Sequence, residues 1–344
     1  MALQTAAQPQ ARTARTTRAR IAILGLGRMG AIHVDNALRL PSVELVAVAD
    51  GDQRRTAELS ARAGVPGAAD LEQLLELQPD GIVVATPSDH HAAAIAQAAA
   101  AGVHVFCEKP IAPRLADAER AVATAEAAGI VLQVGFQMRF DRDLVALEAL
   151  LAGGELGRPF QFHARLRDVA PPPADYLAGS GGYFRDGAIH CFDLARWLMG
   201  EVAEVTAFGA ALSSPLFDQI GDVDNAIAVL RFASGALGTV EVSRVAGYGF
   251  DSAVEVVGSA GTARVAGAAS DGLVRCRDGR VEQAHVQDFG DRFAAAYPRE
   301  LDAFAAAIAA AESISPVSGA DGLAAMRLAE AAAESHRRGA TVRL

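Results

Sequence analysis

Residues 21–30 read Ile-Ala-Ile-Leu-Gly-Leu-Gly-Arg-Met-Gly: an apolar run, then glycines at 25, 27 and 30. The run Ile21–Leu24 has the composition of a short buried strand, and a helical pattern extends from Met29 to about Leu40. Strand, glycine turn and helix, in that order, give GxGxxG its meaning as a dinucleotide-binding turn. Gly25 permits the tight turn, Gly27 lets a pyrophosphate approach the backbone, and Gly30 lets the helix pack on the strand. The free N–H groups of the helix start, around Arg28 and Met29, then face the phosphates. Asp50 lies 20 residues beyond Gly30, at the end of a second strand, Val43–Ala49. A carboxylate there accepts hydrogen bonds from the adenosine ribose and repels a 2′-phosphate, which favours NAD over NADP. Arg54 and Arg55 argue the other way, unless they form a solvated helix face.

Outward from this turn the chain alternates. Helices are expected over Gln53–Ala63 and Asp70–Leu77, and a strand over Gly81–Ala85. A helix runs from Ser88, read as its N-cap, to Ala101. Strand Val103–Cys107, helix Ala112–Ala128 and strand Ile130–Gly135 follow. Such alternation, with near-continuous apolar strands, means a parallel sheet. Beyond Phe140 the style changes. A short helix (Asp141–Leu151) leads into the segment Arg158–Arg167, a proline-rich loop (Ala170–Tyr176) and a helix (Asp186–Met199). Strands are expected at Glu204–Ala211, Asn225–Phe232, Ala236–Val245, Ala253–Gly258 and Thr262–Ala266, separated by turn pairs such as Ser234-Gly235. Helices over about Asp291–Ala311 and Ser318–Arg338 close the chain and have room to pack back on the first domain. The expected fold class is an α/β Rossmann domain over residues 20–139, then an α+β domain over 140–344 with an open, mainly antiparallel sheet. Residues 1–19 lack hydrophobic periodicity and read as a disordered extension, although transit peptides share their Arg-rich, acid-free composition.

The 344 residues are 51% hydrophobic and 21% charged, enough apolar material for two cores. The net charge is −10, and the four Arg of residues 1–20 leave the body more acidic still. This disfavours nucleic acid or an anionic membrane surface as a partner. No apolar run reaches the roughly 18 residues of a membrane span. Cys107, Cys191 and Cys276 stand far apart without ligand spacing. That implies no disulfide framework, no metal centre, and a reducing cytoplasm.

Candidate chemistry gathers at two further places. Thr86-Pro87 and Cys107-Glu108-Lys109-Pro110 each end a strand at the sheet edge where ligands bind. Lys109 is the single lysine of a chain whose other basic residues are Arg. Arg cannot give up its proton and is bulkier, so a retained Lys near the cofactor suggests work that Arg cannot do. Pro110 restricts Lys109 to an extended or turn conformation, and an X–Pro bond can be cis. His91 is open between cofactor contact and a capping or surface role. His90 and His91 are adjacent, so they are not a helical metal pair. The second place is the segment Gly181–Asp193, GGYFRDGAIHCFD. On a helix, Asp186 and His190 share a face, with Cβ atoms roughly 5–6 Å apart. Acid and imidazole together suit proton transfer; an N-cap Asp and a core His are the plainer alternative. Asp193 reads as a structural hydrogen-bonding group.

In order, GLGRMG, CEKP and the DxxxH of DGAIH resemble the Gfo/Idh/MocA oxidoreductases over essentially all of residues 20–340. VGFQMRFD, RDVAPPPADY, SGGYFRDGAIHCFDLARWLMGE, DVDNAIAVLRFASGALGTVEVSR, YGFD and PVSGADGLAAMRLAEAA are most similar to the bacterial inositol 2-dehydrogenases of that family. The resemblance implies NAD-dependent oxidation of a ring secondary alcohol, with myo-inositol the leading substrate. It implies Lys109, Asp186 and His190 as the catalytic set. His190 takes the hydroxyl proton, Lys109 bonds the reacting oxygen, and Asp186 places or proton-couples the pair. Glu108 is implied at the cofactor ribose, Thr86, Pro87 and His91 along the cofactor, and Asp168 and Tyr248 on the substrate side. Gln137 and Arg139 lie beside the same expected pocket, where Gln137-Met138-Arg139 departs from the Met-Arg-Arg usual in such relatives. A homotetramer with the open sheets in contact is also implied. A sugar or glycoside dehydrogenase and a non-catalytic NAD-binding regulator are the alternatives.

Overall fold

The computed structural model describes residues 18–266, 269–310 and 315–344; the extension expected at 1–19 lies almost wholly outside them. Strands β1 (Ala19–Leu24), β2 (Val43–Ala49), β3 (Gly67–Ala68), β4 (Gly81–Val84), β5 (His104–Glu108) and β6 (Leu132–Gly135) form a parallel sheet. Their order is β3-β2-β1-β4-β5-β6. Every residue of β4 and β6 is buried; β4 reads as an unbroken apolar run rather than as alternation, and β6 is interrupted only by Gln133, which bonds the Glu300 carbonyl and Ser315. Strand order reverses between β1 and β4, and the carboxyl ends there open a crevice. Gly25, Asp50, Thr86 and Lys109 all follow strands at that edge.

The second sheet holds β7 (Pro159–Arg167), β8 (Val202–Ala210), β9 (Asn225–Phe232), β10 (Leu237–Ser243), β11 (Asp251–Gly258) and β12 (Thr262–Val265). Strands β13 (Ala269–Arg277) and β14 (Arg280–His285) form a separate hairpin, and β15 (Val342–Arg343) edges the second sheet, whose order is β12-β11-β7-β10-β9-β8-β15. Its pairs are antiparallel except β7–β10, which is parallel. Burial alternates strictly along β9. Ala226, Ala228, Leu230 and Phe232 point inward, against a core that includes helices Ala188–Met199 and Gly319–Arg338. Ile227 and Val229 point outward, with Phe208 opposite Ile227 and Leu237 on the neighbouring strand, all four exposed.

The closing helices return to the first domain. Leu301, Phe304 and Ala305 of helix Ala296–Ala309 share a core with Ile21, Ile23, Val34 and Phe106. Burying Phe304 alone contributes roughly 1.5–3 kcal/mol. Several local expectations change. A 3-10 turn, Ser88–His90, precedes helix His91–Ala100, and Ser88 makes no side-chain cap. The proline-rich loop ends in a short helix, Ala174–Gly179, and a further short helix, Pro215–Ile220, outside the expected elements, is capped by the Ser214 side chain and ended by Gly221. The expected helix over 291–311 is two pieces, Phe289–Arg292 and Ala296–Ala309. The small strands β3 and β15, and the polar hairpin β13–β14, lack the apolar alternation that marks a strand in sequence.

Candidate active site

Gly25 has φ +89°, and a Cβ on it would lie 2.5 Å from the Ala85 carbonyl carbon and the Thr86 nitrogen. Backbone angle and packing both require glycine there. A Cβ on Gly30 would lie 1.8 Å from the Gly25 oxygen, so the helix start abuts the turn itself more closely than the neighbouring strand. Gly27 differs: nothing lies within 4 Å of its Cβ position. An open backbone at a helix N-terminus fits a pyrophosphate. Asp50 ties the end of β2 to this turn. Its Oδ2 accepts from the Leu26 N–H at 2.6 Å and its Oδ1 from the Asp52 N–H at 2.7 Å. Each oxygen keeps a lone pair for a ribose hydroxyl. Exposed Arg54 and Arg55 lean on Asp52, at 3.5 and 3.9 Å.

Along the same edge, the Thr86 hydroxyl is buried without a protein partner. His91 is buried, with Nε2 2.9 Å from the Thr86 oxygen and Nδ1 2.8 Å from the Pro110 oxygen. It is neither a surface residue nor a cap; it joins the loop after β4 to the loop after β5. Burial lowers its pKa, and the two carbonyls act the other way. Glu108 Oε1 lies 2.8 Å from Nε2 of buried His33. Arg28 pairs with Asp288 and sits 3.9 Å over the Phe289 ring, while Met29 packs on the core.

Lys109 precedes Pro110 through a cis peptide bond. Its ammonium donates to the Asp186 carbonyl at 2.8 Å and to Asp186 Oδ1 at 3.1 Å. The Tyr176 hydroxyl donates to the same Oδ1 at 2.7 Å, and Arg244 donates to Oδ2 at 2.7 Å. Burial would raise the Asp186 pKa, but Lys109, Arg244 and Tyr176 outweigh it and hold the carboxyl well below the usual range. Burial likewise works against the Lys109 cation, and Asp186 more than reverses this, so the ammonium keeps its proton.

The single helix expected over 186–199 is broken at Gly187, into Tyr183–Asp186 and Ala188–Met199. A Cβ on Gly187 would lie 2.3 Å from the Tyr183 ring. The Asp186 carboxylate is taken up by Lys109, Tyr176 and Arg244, while the His190 Nδ1 is buried with no hydrogen-bond partner among the described residues. The His190 ring meets Phe136 edge-on at 5.8 Å. Burial and then the Lys109 charge push His190 down to about 3, against the pull of Asp186. A neutral imidazole and an ammonium thus share one site, which can accept a proton and donate a hydrogen bond.

Asp168 follows β7 and lies 3.9 Å from Arg244. Burial pushes its carboxyl up to about 6, with Arg244 opposing. Gln137 is buried in the 3-10 turn next to Phe136. Two expectations need correction. Arg139 is not free for substrate: it donates to both oxygens of Asp193, at 2.9 and 2.6 Å, and to Asp321 at 3.2 Å. A buried guanidinium so matched is a tie between helices, with Asp193 in its expected structural role. The Tyr248 hydroxyl is engaged by Asp251 at 2.6 Å and by Arg167 at 3.0 Å. No local pattern in the sequence singles out Tyr176 or Arg244. Their only signal is that each ends a segment, RDVAPPPADY or GTVEVSR, that carries the family likeness.

Two family models match the chain: "Oxidoreductase family, NAD-binding Rossmann fold" over residues 19–136 and "Oxidoreductase family, C-terminal alpha/beta domain" over 148–344. A myo-inositol 2-dehydrogenase of Thermotoga maritima is 37% identical over 329 residues, covering 94% of this chain and 98% of its own. The crystal structure of a myo-inositol dehydrogenase from Corynebacterium glutamicum superposes with TM-score 0.91 at 34% identity, covering 95% of this chain and 99% of that one. A scyllo-inositol dehydrogenase from Lactobacillus casei, solved with bound NAD(H) and scyllo-inositol, gives TM-score 0.89 at 27% identity, with 95% and 99% covered.

Proposed function

Because the chain belongs to the Gfo/Idh/MocA oxidoreductase family, we propose that it oxidises a ring secondary alcohol of a cyclic polyol, myo-inositol to 2-keto-myo-inositol. It is an NAD-dependent dehydrogenase. The observation that carries the reading is the meeting of Lys109, Asp186 and neutral His190 in one buried cluster, with Lys109 at the same sheet edge as the open glycine turn. We assign residues 20–139 to cofactor binding and 140–344 to substrate binding and assembly.

The residues fit the cofactor. Gly25, Gly27 and Gly30, with the helix start at Arg28 and Met29, would hold the pyrophosphate, Asp50 the adenosine ribose, and Thr86, Pro87 and Glu108 the inner half. When bound, NAD+ supplies the hydride acceptor. His190, which its lowered pKa leaves unprotonated at neutral and alkaline pH, takes the hydroxyl proton. Lys109 donates to the same oxygen and stabilises its developing negative charge. Asp186 holds Lys109 in place and charged. Asp168 and Gln137 bound the substrate side.

Several features support a cytoplasmic homo-oligomer, a tetramer in our reading. No helix among the described residues is long and apolar enough to cross a membrane, and the outer face of the second sheet exposes Phe208, Ile227, Val229 and Leu237. The test is NAD+ reduction at about pH 9 against a panel of inositols and pyranoses, repeated with NADP+. Turnover of myo-inositol with a clear preference for NAD+ is expected. Activity confined to a hexose or glycoside would move the assignment to a sugar dehydrogenase, with Gln137 and Met138 the first residues to exchange. Equal kcat/KM with both cofactors would remove the role given to Asp50.

A further inference from the structure

Arg244 stands just beyond β10, its N–H bonded to the Asp224 carbonyl at 2.8 Å. Its side chain is 3% exposed. One terminal nitrogen donates to Asp186 Oδ2 at 2.7 Å, and the other lies 3.9 Å from Asp168 Oδ2. The guanidinium carbon sits 4.2 Å from the centre of the Tyr183 ring, and Nε is buried without a partner. A cation this buried is costly unless carboxylates and an aromatic face surround it. Lys109 and Arg244 carry two positive charges here, and the cluster is neutral only when both Asp186 and Asp168 are ionised.

We propose that Arg244 is the positioning residue of this site: one guanidinium fork, spanning two carboxylates from different elements, that holds Asp186 in register with Lys109 and keeps Asp168 available as an anion for substrate hydroxyls. The inference rests on the dehydrogenase reading and deepens it. Asp186 has two edges. Lys109 and Tyr176 occupy Oδ1, and among the described residues Arg244 alone occupies Oδ2. Without Arg244, Oδ2 is an unpaired buried oxygen, and the carboxylate turns toward Lys109 with both oxygens. That draws the ammonium away from the reacting alcohol. A lysine at 244 would restore the charge, but as a single point it cannot span both carboxylates.

The sign of the pH effect follows from the surroundings of Asp168. Burial raises its pKa, Arg244 lowers it, Asp186 raises it, and Lys109 and Arg28 lower it; Tyr183 faces the same cluster. Below about 6 the carboxyl is protonated, so activity rises through about pH 6. Loss of the Arg244 charge moves that limb to higher pH.

The experiment compares Arg244→Gln and Arg244→Lys with the wild type. It uses kcat/KM for myo-inositol from about pH 5 to 9, NAD+ affinity, and pH titration of ¹³C-labelled Asp carboxyls by NMR without substrate. Arg244→Gln is expected to lose about tenfold or more in kcat. Its acid limb should rise by about one unit, and NAD+ affinity should stay within about twofold, since the glycine turn is untouched. Arg244→Lys should return the limb to the wild-type position but only part of kcat. An acid limb unchanged in Arg244→Gln, or a Lys variant no better placed than the Gln variant, would overturn the proposal. If Arg244→Gln fails to fold, full wild-type kcat in Arg244→Lys would overturn it. If the wild type oxidises no polyol, the functional reading fails on its own. The carboxyl titrations then decide Arg244: Asp168 and Asp186 titrating alike in Arg244→Gln and wild type would refute it.

Discussion

Lys109 carries the sharpest residue-scale prediction. Its ammonium reaches both the carbonyl and the carboxylate of Asp186, at 2.8 and 3.1 Å. If it supplied only positive charge, Arg would serve, as it does wherever else this chain is basic. If it must stand as a compact donor on the reacting oxygen, Arg fails on size and on its planar, spread-out charge. Lys109→Arg is therefore expected to bind NAD+ normally but to lose about 10²-fold or more in kcat. Steady-state kinetics with a cofactor-binding titration checks this. A variant keeping over about a third of wild-type kcat would deny Lys109 the part of a compact donor on the reacting oxygen. The sequence isolated Lys109 because it is unique. It could not isolate Arg244, one arginine among many, whose importance lies in two carboxylates brought to it from residues 168 and 186.

At the scale of elements, the break between helices Tyr183–Asp186 and Ala188–Met199 sets the site. In an unbroken helix the Asp186 carbonyl would accept from the His190 N–H; here it accepts from Lys109, and the His190 N–H goes to the Gly187 carbonyl. The break separates their tasks, one toward Lys109 and one toward Phe136. Gly187 makes it possible, because the buried Tyr183 ring occupies the space of its missing Cβ, and Arg244 lies over that ring. Gly187→Ala would push Tyr183 against Arg244. The expected cost is about 1–3 kcal/mol of overpacking, with a lowered Tm and a lowered kcat together. A thermal melt and a rate measurement check it, and an unchanged Tm would show that the ring has room to yield. In sequence the i,i+4 spacing of Asp and His points to a continuous helix, since a glycine inside a helical pattern does not announce a break.

At the scale of the whole molecule, the second sheet is finished on one face only. Its inner face packs on helices; its outer face carries Phe208, Ile227, Val229 and Leu237 in adjacent register. The homo-oligomer we propose would cover this face, whose apolar residues a solvated sheet does not need. Phe208 is 66% exposed, so Phe208→Glu should spare the folded subunit and shift the assembly toward smaller species in sedimentation analysis. An unchanged mass distribution would move the contact elsewhere.

The elements written in local pattern were legible from the amino-acid order alone. The strand–glycine–helix unit at 21–40, the run of parallel strands, the position of Asp50 and the single lysine before Pro110 depend on neighbours a few residues apart. What only the tertiary structure decided involves groups far apart in the chain. It took His91 inward to bridge two loops, gave Arg139 to Asp193 and Asp321, laid β10 parallel to β7, and brought Tyr176 and Arg244 onto Asp186. The physical reason is that a buried charge must find its partner wherever the packing places one, and that partner has no required distance along the sequence.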